Sequence, residues 1–122
     1  MKNQAYRMAL LYDFYGDMLT DRQKEFYDLY YNEDLSLSEI AENYGISRQG
    51  VRDVIVRAEA TLNELEDKTG IIRRFHLMQE QLSEIQTAVD AIAGRNAQQY
   101  QDDEIEVLTD RIRVMLNKLK QE

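Results

Sequence analysis

The chain has 122 residues, of which 43% are hydrophobic; it carries eight Tyr and three Phe, no Pro, Cys or Trp, and a formal net charge of −8. That length fits one compact domain, or one small domain with an extension, because single cores grow to roughly 100 to 150 residues, and it excludes most multi-domain enzymes. The apolar share excludes a disordered chain, the lack of cysteine excludes a disulfide framework or thiolate zinc site, and no apolar run approaches the roughly 18 residues of a membrane span.

With no secretory signal pattern at the N-terminus, a cytoplasmic protein with no membrane partner is expected. Charge also speaks against easy attraction to nucleic acid, since 23 acids face 15 bases and like charge repels a polyanion at long range. Up to Arg74 there are 10 bases and 14 acids, and beyond it 5 and 9, so neither part is basic.

From Gln4 to Tyr15, Ala5, Met8, Ala9, Leu11, Tyr12 and Tyr15 recur at threes and fours, the pattern of a helix with one buried face. Gly16 is expected to end it in the left-handed conformation. Thr20 then caps a second helix, with Asp21 at the positive end of its dipole and Phe26, Tyr27, Leu29 and Tyr30 inward, up to Asn32.

Ser36 and Glu39 form a capping box ahead of a short helix over Leu37 to Tyr44. Gly45 stops that helix, and Ser47 caps the next, which runs from Arg48 to Asp67 or Lys68 before Gly70.

Beyond Gly70, Ile72, Phe75, Met78, Leu82, Ile85, Val89 and Ile92 form a stripe at threes and fours. A polar interval around Gly94 to Gln101 precedes a second stripe of Ile105, Leu108, Ile112, Met115 and Leu119. Two helices with narrow seams are expected, burying them as a hairpin, against the N-terminal domain, or across a homodimer. The chain therefore reads as all-α, with a domain over residues 1–70 and a long-helix extension over 71–122.

The stretch from Leu37 to Val56 has the residue types that two helices crossing at a sharp turn demand. Ile40 and Tyr44 anchor the first helix, Ala41 is the small contact residue, Gly45 makes the turn, Ile46 follows it inward, and Val51 with Val54 or Ile55 lines the second helix. If the second helix enters a major groove, its first turn faces base edges, and Arg48, Gln49 and Arg52 are the readers: arginine suits guanine, glutamine suits adenine, and either can hold phosphate. Ser47 and Ser38 can donate to phosphate, and Arg57 can contact phosphate or pair with Asp53 along the helix. Asp53 and Glu39 would repel phosphate.

An enzyme has little support. His76, the single histidine, has no cysteine or serine motif beside it and reads as a surface or packing residue. The acid run Asp102, Asp103, Glu104 and Glu106 diverges around one helix and reads as a solvated cap rather than a metal site. No glycine loop cradles phosphate, so no cofactor is expected. The tyrosines suit a partner surface, but at helical spacing they are more often core.

The run SLSEIAENYGISRQGVRDVIVRAEATLNEL, preceded by LTDRQKEFYDLYYNEDL, resembles sigma factor region 4 over Leu19 to Leu65. Nothing in the chain corresponds to the sigma regions that bind a promoter −10 element or the polymerase clamp, which disfavours a free-standing sigma factor. From Tyr6 to Gly70, and in its length and acidic helical tail, the chain resembles the YlxM-like family of small bacterial helix-turn-helix proteins. That family is typically encoded beside the signal recognition particle GTPase. The resemblance implies a regulator of that pathway, binding DNA, the particle's RNA, or its GTPase. A DNA-binding regulator and a non-DNA-binding adaptor both remain open.

Overall fold

The computed structural model describes residues 5–121. Among them there is no strand: the chain is all-α, as its lack of proline and its apolar spacing predict. Two compact units divide it, Met1–Ile72 and Arg73–Glu122, and each has its own core.

The first unit contains α1 (Ala5–Tyr15), a short 3-10 turn (Gly16–Met18), α2 (Asp21–Tyr31), α3 (Leu37–Tyr44) and α4 (Arg48–Thr69). Its axis is α4, whose Val51, Ile55, Ala58 and Leu62 fall four, three and four apart and are all fully buried, as one stripe of a helix should be. The N-terminal half of that stripe packs with Phe26, Tyr30, Leu37, Ile40 and Ala41, and so holds α2 and α3. Ala58 and Leu62, further along, pack with Met8, Leu11, Tyr15 and Tyr27, and so hold α1.

The tyrosines are largely structural. Tyr12 stacks on Tyr27 with ring centroids 5.4 Å apart, and Tyr31 leans on Tyr27 at 4.7 Å. Tyr27 donates its hydroxyl to the Met8 carbonyl at 2.6 Å, which satisfies the polar end of a buried ring. Burial drives the Tyr27 and Tyr31 hydroxyls well above the ordinary tyrosine range, and the Glu59 carboxylate adds to both.

Local signals explain the helix boundaries. Thr20 accepts from the Gln23 amide while the Gln23 side chain accepts from the Thr20 amide, a capping box completed by a residue to which sequence reading gave no role. Ser36 and Glu39 form the expected second box. Gly16 departs from expectation: it does not turn left-handed but is buried and begins the 3-10 turn, lying against the Tyr12 ring, which leaves no space for a side chain without a shift. A left-handed residue for which sequence reading held no expectation follows α2: Asp34, at φ 58°.

The second unit is an antiparallel helical hairpin. Its helices are α5 (Ile71–Arg95), whose first residues belong to the first unit, and α6 (Asp103–Gln121), joined through a wide π turn (Asn96–Tyr100). Leu82, Val89 and Leu116 form its buried core with Ile112 against them. The expected stripes are thus only partly the buried seam: Met78, Ile85, Ile92, Leu108, Met115 and Leu119 stay about half exposed, and Leu116, outside the stripe, is buried. A two-helix contact is one line wide, so it cannot cover both flanks of a stripe. Arg113 binds Asp90 across the hairpin at 2.8 Å, and that hydrogen bond holds the Asp90 carboxyl below the usual aspartate range.

Candidate nucleic-acid interface

The turn between α3 and α4 is built as its sequence demands. Gly45 sits at φ 65°, ψ 32°, and its amide and that of Ile46 both return to the Ala41 carbonyl, closing the end of α3. Ser47 takes an extended conformation and accepts the Gly50 amide at 2.9 Å, starting α4. Ile40 and Ala41 are buried, Ile46 is half-buried, and Val51 and Ile55 are fully buried with Val54 at their edge. The two helices therefore form a helix-turn-helix over Leu37 to Val56, pinned to α2 by Phe26 and Tyr30.

Tyr44 secures the far end of α3. Its ring meets Phe26 edge-on at 4.9 Å, and its hydroxyl donates to Glu25 on α2. That hydrogen bond raises the hydroxyl above its ordinary titration range, since the carboxylate acceptor favours the protonated phenol. Arg22, on α2 like Phe26, lies 5.4 Å over the Phe26 ring, so it is the Tyr44 ring and hydroxyl that fix α3 to α2.

Every candidate contact residue lies on the surface. Ser47, Arg48, Gln49, Arg52 and Arg57 are exposed around α4 and its cap, and Ser38 is exposed in the first turn of α3. Arg48, Arg52 and Arg57 form no ion pair with another described residue, so the Arg57 to Asp53 pair open from sequence is not made. Asp53 instead accepts the Gln49 amide at 3.0 Å. That contact removes one donor of Gln49 and holds its side chain along the helix. The Ser47 oxygen is occupied as an acceptor by the cap, which leaves its hydroxyl hydrogen to donate.

Val56 was not singled out by sequence reasoning. It is 40% exposed on α4, one turn after Arg52, where an apolar side chain can meet a thymine methyl group. The signal was its absence from the 51, 55, 58, 62 stripe.

The remaining candidates separate from this surface. His76 is exposed and its ring lies 5.9 Å from that of Phe75. Asp102 accepts the Glu104 and Ile105 amides at 2.9 and 3.1 Å, so the acid run begins with a helix cap. Among the described residues no group of His, Cys, Asp or Glu could hold a metal ion, and no helix is long and apolar enough to cross a membrane.

Comparison with known proteins agrees with this geometry. Residues 2–104 match the family model UPF0122, described as "Putative helix-turn-helix protein, YlxM / p13 like". A UPF0122 protein of Desulforamulus reducens is 43% identical over 94 residues, which cover 77% of this chain and 80% of the relative. One from Acetivibrio thermocellus is 47% identical over 90 residues, 74% of this chain and 77% of the relative. Another from Halalkalibacterium halodurans is 43% identical over 90 residues, 74% of this chain and 83% of the relative. The chain belongs to the UPF0122 family of YlxM-like helix-turn-helix proteins.

Proposed function

We propose that this UPF0122 protein is a non-enzymatic DNA-binding regulator that seats the first turns of α4 in a major groove, in the service of the signal recognition particle pathway. The observation that carries the reading is the exposed side of α4, where Arg48, Arg52 and Arg57 are committed to no other described side chain. Arg48, Gln49 and Arg52 read base edges or hold phosphate, and Ser38, Ser47 and Arg57 hold the backbone. The link to protein targeting in the cytoplasm rests on the resemblance to YlxM-like proteins over most of the chain.

The net charge of −8 favours a second reading, because a protein acidic throughout gains little from counterion release along a duplex. In that reading the same helix-turn-helix is an adaptor for the RNA or the GTPase of the signal recognition particle, and the charge argument favours the GTPase, since RNA is a polyanion like DNA.

Fluorescence anisotropy with genomic DNA fragments, particle RNA and particle GTPase over a salt series separates the two. Regulation through DNA predicts salt-sensitive binding to some fragments, lost in Arg48→Ala/Arg52→Ala, with the salt slope falling by about 1 for each phosphate-bound arginine. Absence of DNA binding at low salt, together with retained binding to the particle, assigns the adaptor role.

A further inference from the structure

We propose that the α5–α6 hairpin is a dimerisation element, whose open apolar flank pairs with the same flank of a second copy of this chain, α6 running antiparallel to α6, to complete a four-helix bundle. The proposal goes beyond the nucleic-acid reading and does not rest on it.

Handedness gives the hairpin two unlike flanks. Leu82, Val89 and Leu116 mark the line along which α5 and α6 touch. In two antiparallel right-handed helices, positions advanced in the same rotational sense from that line emerge on one common flank. Asp90 and Arg113 emerge on one side, where they pair at 2.8 Å and close it with a polar contact. Met78, Ile85 and Ile92 of α5 and Leu108, Met115 and Leu119 of α6 emerge on the other, each between 46% and 56% exposed. The sevenfold spacing from Met78 to Ile85 to Ile92, and from Leu108 to Met115, keeps this flank straight along both helices.

Area favours a second copy. Half of six large side chains is roughly 600 Å² per chain, at the top of the patch size that monomers expose, and two such faces reach the roughly 1,200 Å² at which specific interfaces begin. A two-fold interface needs a surface complementary to itself, and the charges of α6 supply that. Asp103, Glu104, Glu106 and Asp110 occupy its first half with no base among them, and Arg111, Arg113, Lys118 and Lys120 its second half with no acid. Antiparallel apposition of two α6 helices sets acidic half against basic half at both ends. Glu104, Arg111 and Lys118 recur at sevens beside the apolar flank, so a two-fold axis passing at Arg111 sets Glu104 of one copy opposite Lys118 of the other.

Sedimentation equilibrium of the full chain, from micromolar to submillimolar concentration, should give the mass of two chains. Ile85→Glu/Met115→Glu alters only side chains already about half exposed, so its circular dichroism should remain helical while its mass falls to that of one chain. Glu104→Lys should weaken the dimer at least several-fold, and Glu104→Lys/Lys118→Glu should restore it, a rescue that within one helix has no counterpart because the two residues lie 14 positions apart. A wild-type chain that stays monomeric throughout overturns the proposal. A dimer that survives Ile85→Glu/Met115→Glu overturns it as well, and a dimer without charge rescue overturns the antiparallel register.

Discussion

The side-chain amide of Asn96 binds the backbone of Asp102 in both directions, donating to its carbonyl and accepting its amide, each at 2.9 Å. Asn96 is buried and Asp102 caps α6, so this one amide holds the bend of the hairpin closed and aims the last helix back along α5. Asn96→Ala leaves the Asp102 amide without that acceptor and should cost about 1–3 kcal/mol. Asn96→Asp keeps the acceptor and loses the donor, so it should fall between Ala and the parent in a urea titration followed by circular dichroism.

Gly45 separates conformation from crowding. At φ 65° nothing lies within 4 Å of where a Cβ would stand, so Gly45→Ala meets strain without a clash and should cost about 1–2 kcal/mol. Asn tolerates the left-handed region better, and Gly45→Asn should lose distinctly less. Equal losses in chemical denaturation would show that the cost is steric.

Ser47 has a structural and a proposed binding role that one substitution can separate. Ser47→Ala removes the acceptor for the Gly50 amide and should destabilise by about 1 kcal/mol. Ser47→Asp retains an acceptor, so stability should be nearly parental, while a carboxylate at this end of α4 should abolish the proposed binding to phosphate. Thermal denaturation reads the first effect and DNA anisotropy the second.

Ile55 is fully buried between α2 and α4, whereas Arg52, three residues earlier, is exposed. Ile55→Ala should cost about 2–5 kcal/mol through lost burial and the cavity it leaves. Arg52→Ala should change stability by no more than about 0.5 kcal/mol, so any loss of binding in that variant belongs to the interface.

Alkaline pH should destabilise the first unit. Burial, first of all, raises the hydroxyls of Tyr12, Tyr15, Tyr27 and Tyr31 above the ordinary value of 10.0. A group that holds its proton more tightly when folded contributes stability that is fully present below the unfolded value and is lost as pH rises through the folded one. Stability should therefore begin to fall above pH 10. Absorbance titration should show Tyr12, Tyr15, Tyr27 and Tyr31 in a late class that ionises together with unfolding.

At the acid end the sign reverses for the hairpin. The hydrogen bond from Arg113 lowers Asp90, so the pair's contribution is present above the ordinary aspartate value and disappears as pH falls through the lowered one. Arg113→Leu should reduce the Asp90-dependent part of that acid dependence, leaving the smaller share that the Gln86 amide supplies, as measured by urea titrations at stepped pH.

The elements themselves were readable along the chain because their signals are local. Thr20, Ser36 and Ser47 each place an oxygen within reach of an amide three residues on, Gly45 and Gly70 supply left-handed stops, and the 51, 55, 58, 62 spacing defines the buried side of α4. Gly16 was misjudged and Asp34 not foreseen, because a turn's handedness there depends on the neighbouring packing: the Tyr12 ring beside Gly16, and the return of the Leu35 amide to Leu29 across Asp34.

Sequence periodicity thus determined that this protein is helical, where its helices start and stop, and that Leu37 to Val56 turns as a helix-turn-helix, since capping and helical spacing act within a few residues. In the hairpin, only tertiary structure decided which apolar residues are core. A helix stripe states that a side chain faces a partner but not which one, and pairing α5 with α6 buries Leu82, Val89 and Leu116 while leaving Ile85 and Met115 to water. The same holds at the candidate interface, where spacing placed Arg48, Arg52 and Arg57 on α4, but their freedom from ion pairs depended on where every other described carboxylate came to lie.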